Sequence, residues 1–220
     1  MPMTMRSRAS SLLLLLLAAG CTYRAQPSVR PAFDIPASFE ERVPGAFALE
    51  IQVSDLPQSA RVMGLSCSAH TYRLALAQPL RLSIVRTFEP LVERLVVVED
   101  GLSRAALERR GLDGLIRVEM EEVDARLRII SGFWSADAEA EVSLAATLTV
   151  DGRKGRLLGT TLGVEAEATS EVAGLCAGPE KAAAAAAEKA INRLVRRLGE
   201  RFASSERLRR GLQAGEERSM

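Results

Sequence analysis

Two runs of the chain, 140–150 and 158–168, place apolar residues with a period of two. Ala140, Val142, Leu144, Ala146, Leu148 and Val150 take every second position, and Leu158, Leu162, Val164, Ala166 and Ala168 share one face further on. Successive side chains of a strand point to opposite sides, so this period marks strands with one buried face. Asp151-Gly152-Arg153-Lys154-Gly155 lies between the two runs and predicts a long hairpin. The helix that covers it is equally clear. From Pro179 to about Phe202 helix formers dominate, led by the run Ala182 to Ala187, and alanine has the best helix propensity. Ala187, Ile191, Leu194, Val195, Leu198 and Phe202 form one apolar stripe.

The residues before the hairpin add strands and a second helix. Phe47, Leu49, Ile51 and Val53 alternate, and a short strand is expected around Thr71 to Leu76. Pro79 suits a first helical turn, and Leu80, Ile84, Phe88, Leu91, Val92 and Leu95 fall on one helical face. Pro90 lacks the amide that would bond the carbonyl of Arg86, so the helix should kink there or stop just before it. A short strand at Val96 to Val98 and one or two helical turns from Ser103 to Arg110 follow. Ile116, Val118 and Met120 are apolar on even positions, whereas Val123, Ala125, Leu127 and Ile129 are apolar on odd ones. That change of phase at Glu121-Glu122 predicts a bulge. The expected fold class is α+β: a two-layer sandwich with a mostly antiparallel sheet and two main helices packed on one face. Glu50, Glu119, Glu139, Glu141, Glu165 and Glu167 would then line a wet outer face.

The N-terminus carries a different signal. Arg6 and Arg8 precede an apolar run, Leu12 to Leu17, that passes through Ala18 and Ala19 to Gly20 and Cys21. The run is short of the ~20 apolar residues that span a bilayer, and has the order of a secretory signal. Leu17-Ala18-Ala19-Gly20-Cys21 resembles the lipobox of bacterial lipoproteins. The resemblance implies cleavage before Cys21, a diacylated sulfur, and a membrane held through that lipid. It departs from the family's usual pattern at Ala18, where leucine is commoner. Thr22 in place of aspartate implies the outer membrane, on its periplasmic face. The expected organisation is a signal peptide over 1–20, a lipidated cysteine and Pro-rich tether over 21–45, the α+β domain over 46–203 and a charged, frayed tail over 204–220. This order of elements resembles the YajG-like and LptE-like outer-membrane lipoproteins across nearly the whole mature chain. Cys21 is the one residue signature that matches, and no other residue role is carried over.

No catalytic constellation is expected. The only histidine, His70, follows Cys67 in Cys67-Ser68-Ala69-His70, and no third group is in place to orient a nucleophile–base pair. Gly64-Leu65-Ser66-Cys67-Ser68 has serine where a nucleophile elbow needs glycine. Cys67 and His70 fall short of the four ligands of a closed zinc site, so no metal and no cofactor is expected. A formal net charge of +1 excludes a globally basic nucleic-acid binder. Arg193, Arg196, Arg197 and Arg201 form either an interaction patch for lipid headgroups or an acidic partner, or simply a solvated helix face. Phe133-Trp134 either presents an aromatic loop to lipid or protein, or folds over the edge of the core. With Cys21 taken by lipid, Cys67 and Cys176 form the one pair available for a disulfide in an oxidising compartment; the alternative is two unpaired thiols. The function expected is a non-catalytic envelope lipoprotein, an accessory or assembly subunit with an envelope protein partner. The alternative is a periplasmic lipid- or glycolipid-binding domain with an open groove at Leu80, Phe88 and Leu91.

Overall fold

A computed structural model of the chain describes residues 24–25, 28–31, 42–53, 56, 59–64, 67–132, 135–173 and 176–216. The long hairpin is its backbone. Strands β7 (Ala136–Gly152) and β8 (Gly155–Val172) pair along their whole length and close through Gly152↔Gly155. Gly155 has φ +144, a conformation that side-chain-bearing residues rarely adopt. On the other side β7 pairs antiparallel with β6 (Gly114–Ser131). Register shifts between Met120 and Glu122, so the expected bulge is present. It lets Ile116 and Val118 face the same core as Ala125 and Leu127 despite their opposite parity.

The second edge of β6 forks. Its first third pairs in parallel with β2 (Val43–Gln52), and Arg126 to Arg128 pair in parallel with β3 (Ser59–Met63). Outside β2 lies β5 (Val92–Val98), again parallel. Outside β3 come β4 (Thr71–Arg73), antiparallel, and β1 (Arg24–Ala25), parallel to β4. The sheet is therefore mixed, which corrects the expectation of a mostly antiparallel one. Alternation reports which face is buried but not the direction of the neighbouring strand.

Helices α1 (Ala77–Phe88) and α3 (Pro179–Ala203) cover one face, as expected. Leu80, Ile84 and Phe88 of α1 meet Ile191, Leu194, Leu198 and Phe202 of α3 over the sheet. The Phe202 ring stands edge-on to Phe88 at 5.3 Å and to Phe47 at 6.1 Å. The α-helix stops at Phe88, and Glu89–Leu91 continues as one 3-10 turn before β5. Proline at 90 thus ends the helix, and Val92 and Leu95 belong to a strand, not to the helical stripe.

Three further differences matter. Helix α2 (Arg104–Arg109), capped by Ser103, packs Leu107 with Ala46, Ala48, Leu112 and Leu115 in a second core. Even positions of β2 therefore do not face water, and this end of the sheet has three layers. Helix α4 (Glu206–Glu216) forms where a frayed tail was expected. Leu208 is fully buried and Leu212 packs beside it, two anchors too few to stand out in a charged segment. Part of the expected tether also lies on the domain. β1 pairs with β4, Val29 is buried, and the Arg30 amide donates to Glu188 of α3 at 2.9 Å.

Candidate functional site

The arginine face of α3 was the charged patch singled out by sequence, and half of it, Arg193 and Arg197, is turned to the edge of the sheet. α3 runs antiparallel to β8, the edge strand beyond β7. Lys189 Nζ donates to the Glu167 carbonyl at 3.2 Å, Arg193 Nη1 to the Glu165 carbonyl, and Arg197 Nη1 to the Gly163 carbonyl at 2.8 Å. Four helical residues rise ~6 Å and two strand residues ~6.8 Å, so a cation at every fourth helix position meets every second carbonyl. Arg196 instead lies 4.0 Å from Glu200, and Arg201 is exposed. Beside this ladder is an open depression of about 480 Å³ lined by Glu122, Ser143, Gly163, Glu165, Arg193 and Arg196, among others. Gly163 faces open space, and its missing side chain makes the dent. The lining carries both signs of charge and so does not select an anion.

The opposite end of α3 is tied by a disulfide. Cys67 and Cys176 are bonded with their Cα atoms 5.8 Å apart, within the ordinary range of ~4.4–6.8 Å. Both have positive φ, 59° and 61°, which places them in the left-handed region. The Tyr72 hydroxyl, on a fully buried ring of β4, donates to the Cys176 carbonyl at 3.0 Å. The Cys67 sulfur is consumed in this bridge, so it is no thiolate nucleophile for His70. The His70 amide bonds the Cys67 carbonyl at 3.0 Å and closes the turn into β4.

Other candidates fall into place around these two. Leu80, Phe88 and Leu91 are 0, 0 and 3% exposed, so the groove that the lipid-binding alternative needs is packed core. On the outer face, carboxylate oxygens of Glu141, Glu165 and Glu167 lie within 4.8 Å of one another, with Arg126 3.7 Å from Glu141. At the hairpin, a hydrogen bond to Asp151 raises the Arg156 guanidinium above its usual range. Cys21 and Trp134 lie outside the described residues. Sequence reading missed one feature, a buried ion pair. Glu50 is 4% exposed and accepts from Arg117 Nε and Gln52 Nε2, each at 2.7 Å. Its alternation with Leu49 and Ile51 places it on the second face, where the segment through Gly101 that leads into α2 passes over it, a cover that the pattern does not encode.

Fold and site together define an α+β domain on a forked, mixed sheet, closed by an internal disulfide. Neither a protein-family model nor a curated protein matches this chain. Among solved structures it is similar to protein XCC0632 from Xanthomonas campestris, with 16% identity over 88% of this chain and 99% of that one, at a TM-score of 0.44. A neuraminyllactose-binding hemagglutinin homolog from Helicobacter pylori gives 11% identity, 87% and 100% coverage, and a TM-score of 0.49. A minor lipoprotein from Acinetobacter baumannii gives 9%, 71% and 90%, and 0.37. No function is carried over from them.

Proposed function

We propose that this chain is a non-catalytic, lipid-anchored envelope protein whose domain works as an accessory or assembly subunit for a protein partner. The observation that carries the reading is the apolar run ending at Cys21, directly ahead of the first residues that join the sheet. No described helix is long and apolar enough to cross a membrane. Acyl chains on Cys21, each worth ~0.8 kcal/mol per buried CH₂, then hold the domain to the outer membrane on its periplasmic face. A disulfide between Cys67 and Cys176 suits that oxidising compartment. The partner meets the end of α3 where Arg196 and Arg201 project, since Arg193 and Arg197 are occupied with the β8 backbone. The lipid- or glycolipid-carrier reading has lost its groove, because Leu80, Phe88 and Leu91 are buried.

Metabolic labelling with a radioactive fatty acid tests the anchor. The wild-type chain is expected to take up label and to sediment with membranes, while Cys21→Ala gives an unlabelled precursor or a released protein. An unlabelled wild-type chain overturns the reading.

A further inference from the structure

We infer that one end of the sheet, marked by Met63, Arg128 and Ile130, rests on the bilayer that holds the Cys21 lipid. This rests on the reading of Cys21 as the lipidated residue and adds an orientation to it. Chain length sets how far the domain can stand from the lipid. Cys21 is three residues from Arg24, and three residues span at most about 11 Å. Arg24 is in register with Thr71 of β4. A lipid on Cys21 therefore holds the domain against the membrane and does not suspend it on a long tether.

Register then says which end is held. β1 is parallel to β4, so the chain enters β1 from the side of β4 where His70 lies. β4 is antiparallel to β3, with Ser59 opposite Arg73, so that side is also the Met63 end of β3. β3 is parallel to β6, with Met63 opposite Arg128, and Ile130 lies two residues further along the same face of β6. The β6–β7 turn, where the Gly132 amide bonds the Ser135 carbonyl at 2.7 Å, closes this end.

The surface at this end carries exposed apolar side chains beside charges of both signs. Met63 is 45% exposed and Ile130 50% exposed, two of the four exposed large apolar side chains among the described residues. Arg61 and Arg128 are exposed on the same face, with half-buried Glu139 opposite Arg128 and exposed Asp137 opposite Ile130. Exposed Met63 and Ile130 beside the long side chains of Arg61 and Arg128 suit the headgroup boundary, where arginine stems lie along apolar surface and their heads reach phosphate. Val97, another exposed apolar residue, is in register with Leu49, which pairs with Ile116 at the far end of β6. Arg197 bonds Gly163 in the middle of β8, and α3 continues from there toward the Gly155 end of the strand, so the exposed Arg201 also lies away from this end. The arginine end of α3 is thereby left to face the aqueous side.

Oxidative footprinting of the purified full-length lipoprotein in vesicles of phosphatidylethanolamine and phosphatidylglycerol tests this, with Leu82 and Val97 as internal references. Intact mass is measured first. Met63 and Ile130 are expected to be protected from oxidation in vesicles, with Leu82 and Val97 still reactive. The sole tryptophan, Trp134, two residues past Gly132, supplies a second readout. Its emission is expected to be quenched by brominated acyl chains, and that of a Trp134→Phe/Lys154→Trp variant, whose reporter sits at the opposite hairpin, is not. Acylated protein in which the change from detergent to vesicles slows Met63 oxidation no more than that of Val97, or in which the two reporters are quenched equally, overturns the orientation alone. A mass without acyl chains overturns the anchor and this inference with it.

Discussion

The carboxylate of Glu50 has lost nearly all its water and has two donors in its place, Arg117 and Gln52. Gly101 passes above the pair, and a side chain there would sit 3.0 Å from Arg117 Nη2. Removing one partner of a buried ion pair costs far more than removing both, because the survivor keeps its desolvation penalty. Arg117 retains 30% of its side-chain exposure, so water can partly replace it. Arg117→Ala is therefore expected to lower unfolding free energy by about 3 kcal/mol, at the low end for buried pairs. The double change Glu50→Leu/Arg117→Met should cost less than Arg117→Ala alone, as read from paired urea titrations. A larger loss in the double variant means that the pair is net stabilising. Sequence could not reach this residue. Polar-apolar alternation marks Glu50 as an outward position, which it is with respect to α1 and α3, but the second face is covered near Glu50 by the segment through Gly101 and beside it by a six-residue helix with one fully buried leucine.

At the scale of elements, what was legible was periodicity and what was not was partnership. The bulge at Glu121, the hairpin turn at Arg153-Lys154, the end of α1 before Pro90 and the buried stripe of α3 each follow from residues close together in sequence. The parallel pairings of β2 with β5 and β6 do not, because side chains facing a core alternate alike in either direction. The α3–β8 ladder shows the same limit: sequence placed Arg193 and Arg197 off the buried stripe, yet could not say that carbonyls of an edge strand would meet them. An edge strand leaves backbone groups open to pairing with another chain. By capping Gly163, Glu165 and Glu167, the ladder closes β8 to such pairing. Replacing Lys189, Arg193 and Arg197 together with alanine removes hydrogen bonds worth about 1 kcal/mol each at exposed positions. The larger expected consequence is association. Sedimentation velocity should show concentration-dependent dimers or aggregates in the triple variant under conditions where the parent stays monodisperse. A variant that sediments like its parent argues that β8 is protected by shape alone.

For the molecule as a whole, the fork in β6 raises a question of cohesion. β3, β4 and β1 form a small leaf that meets the rest of the sheet through a three-residue register on β6. The leaf has two further ties. Tyr72 buries its ring and bonds the Cys176 carbonyl, and the disulfide joins Cys67, at the root of β4, to Cys176, ahead of α3. The bridge closes a loop of 109 residues, for which the chain-entropy model gives up to ~4.7 kcal/mol. Both cysteines hold positive φ, which costs an L-residue roughly 1–2 kcal/mol, so the net gain falls below that ceiling. Cys67→Ala/Cys176→Ala is expected to lose about 2–4 kcal/mol in a urea titration. Glycine at both sites should recover part of the loss, because it tolerates the left-handed conformation. The distribution of the loss is the sharper test. If the bridge acts mainly on the leaf, hydrogen exchange in the alanine variant should speed up at Ala60, Tyr72 and Arg73 well before it does at Val142 or Leu144 in β7. Uniform acceleration through β7 would mean that leaf and hairpin unfold as one unit and that the bridge acts on the unfolded chain alone.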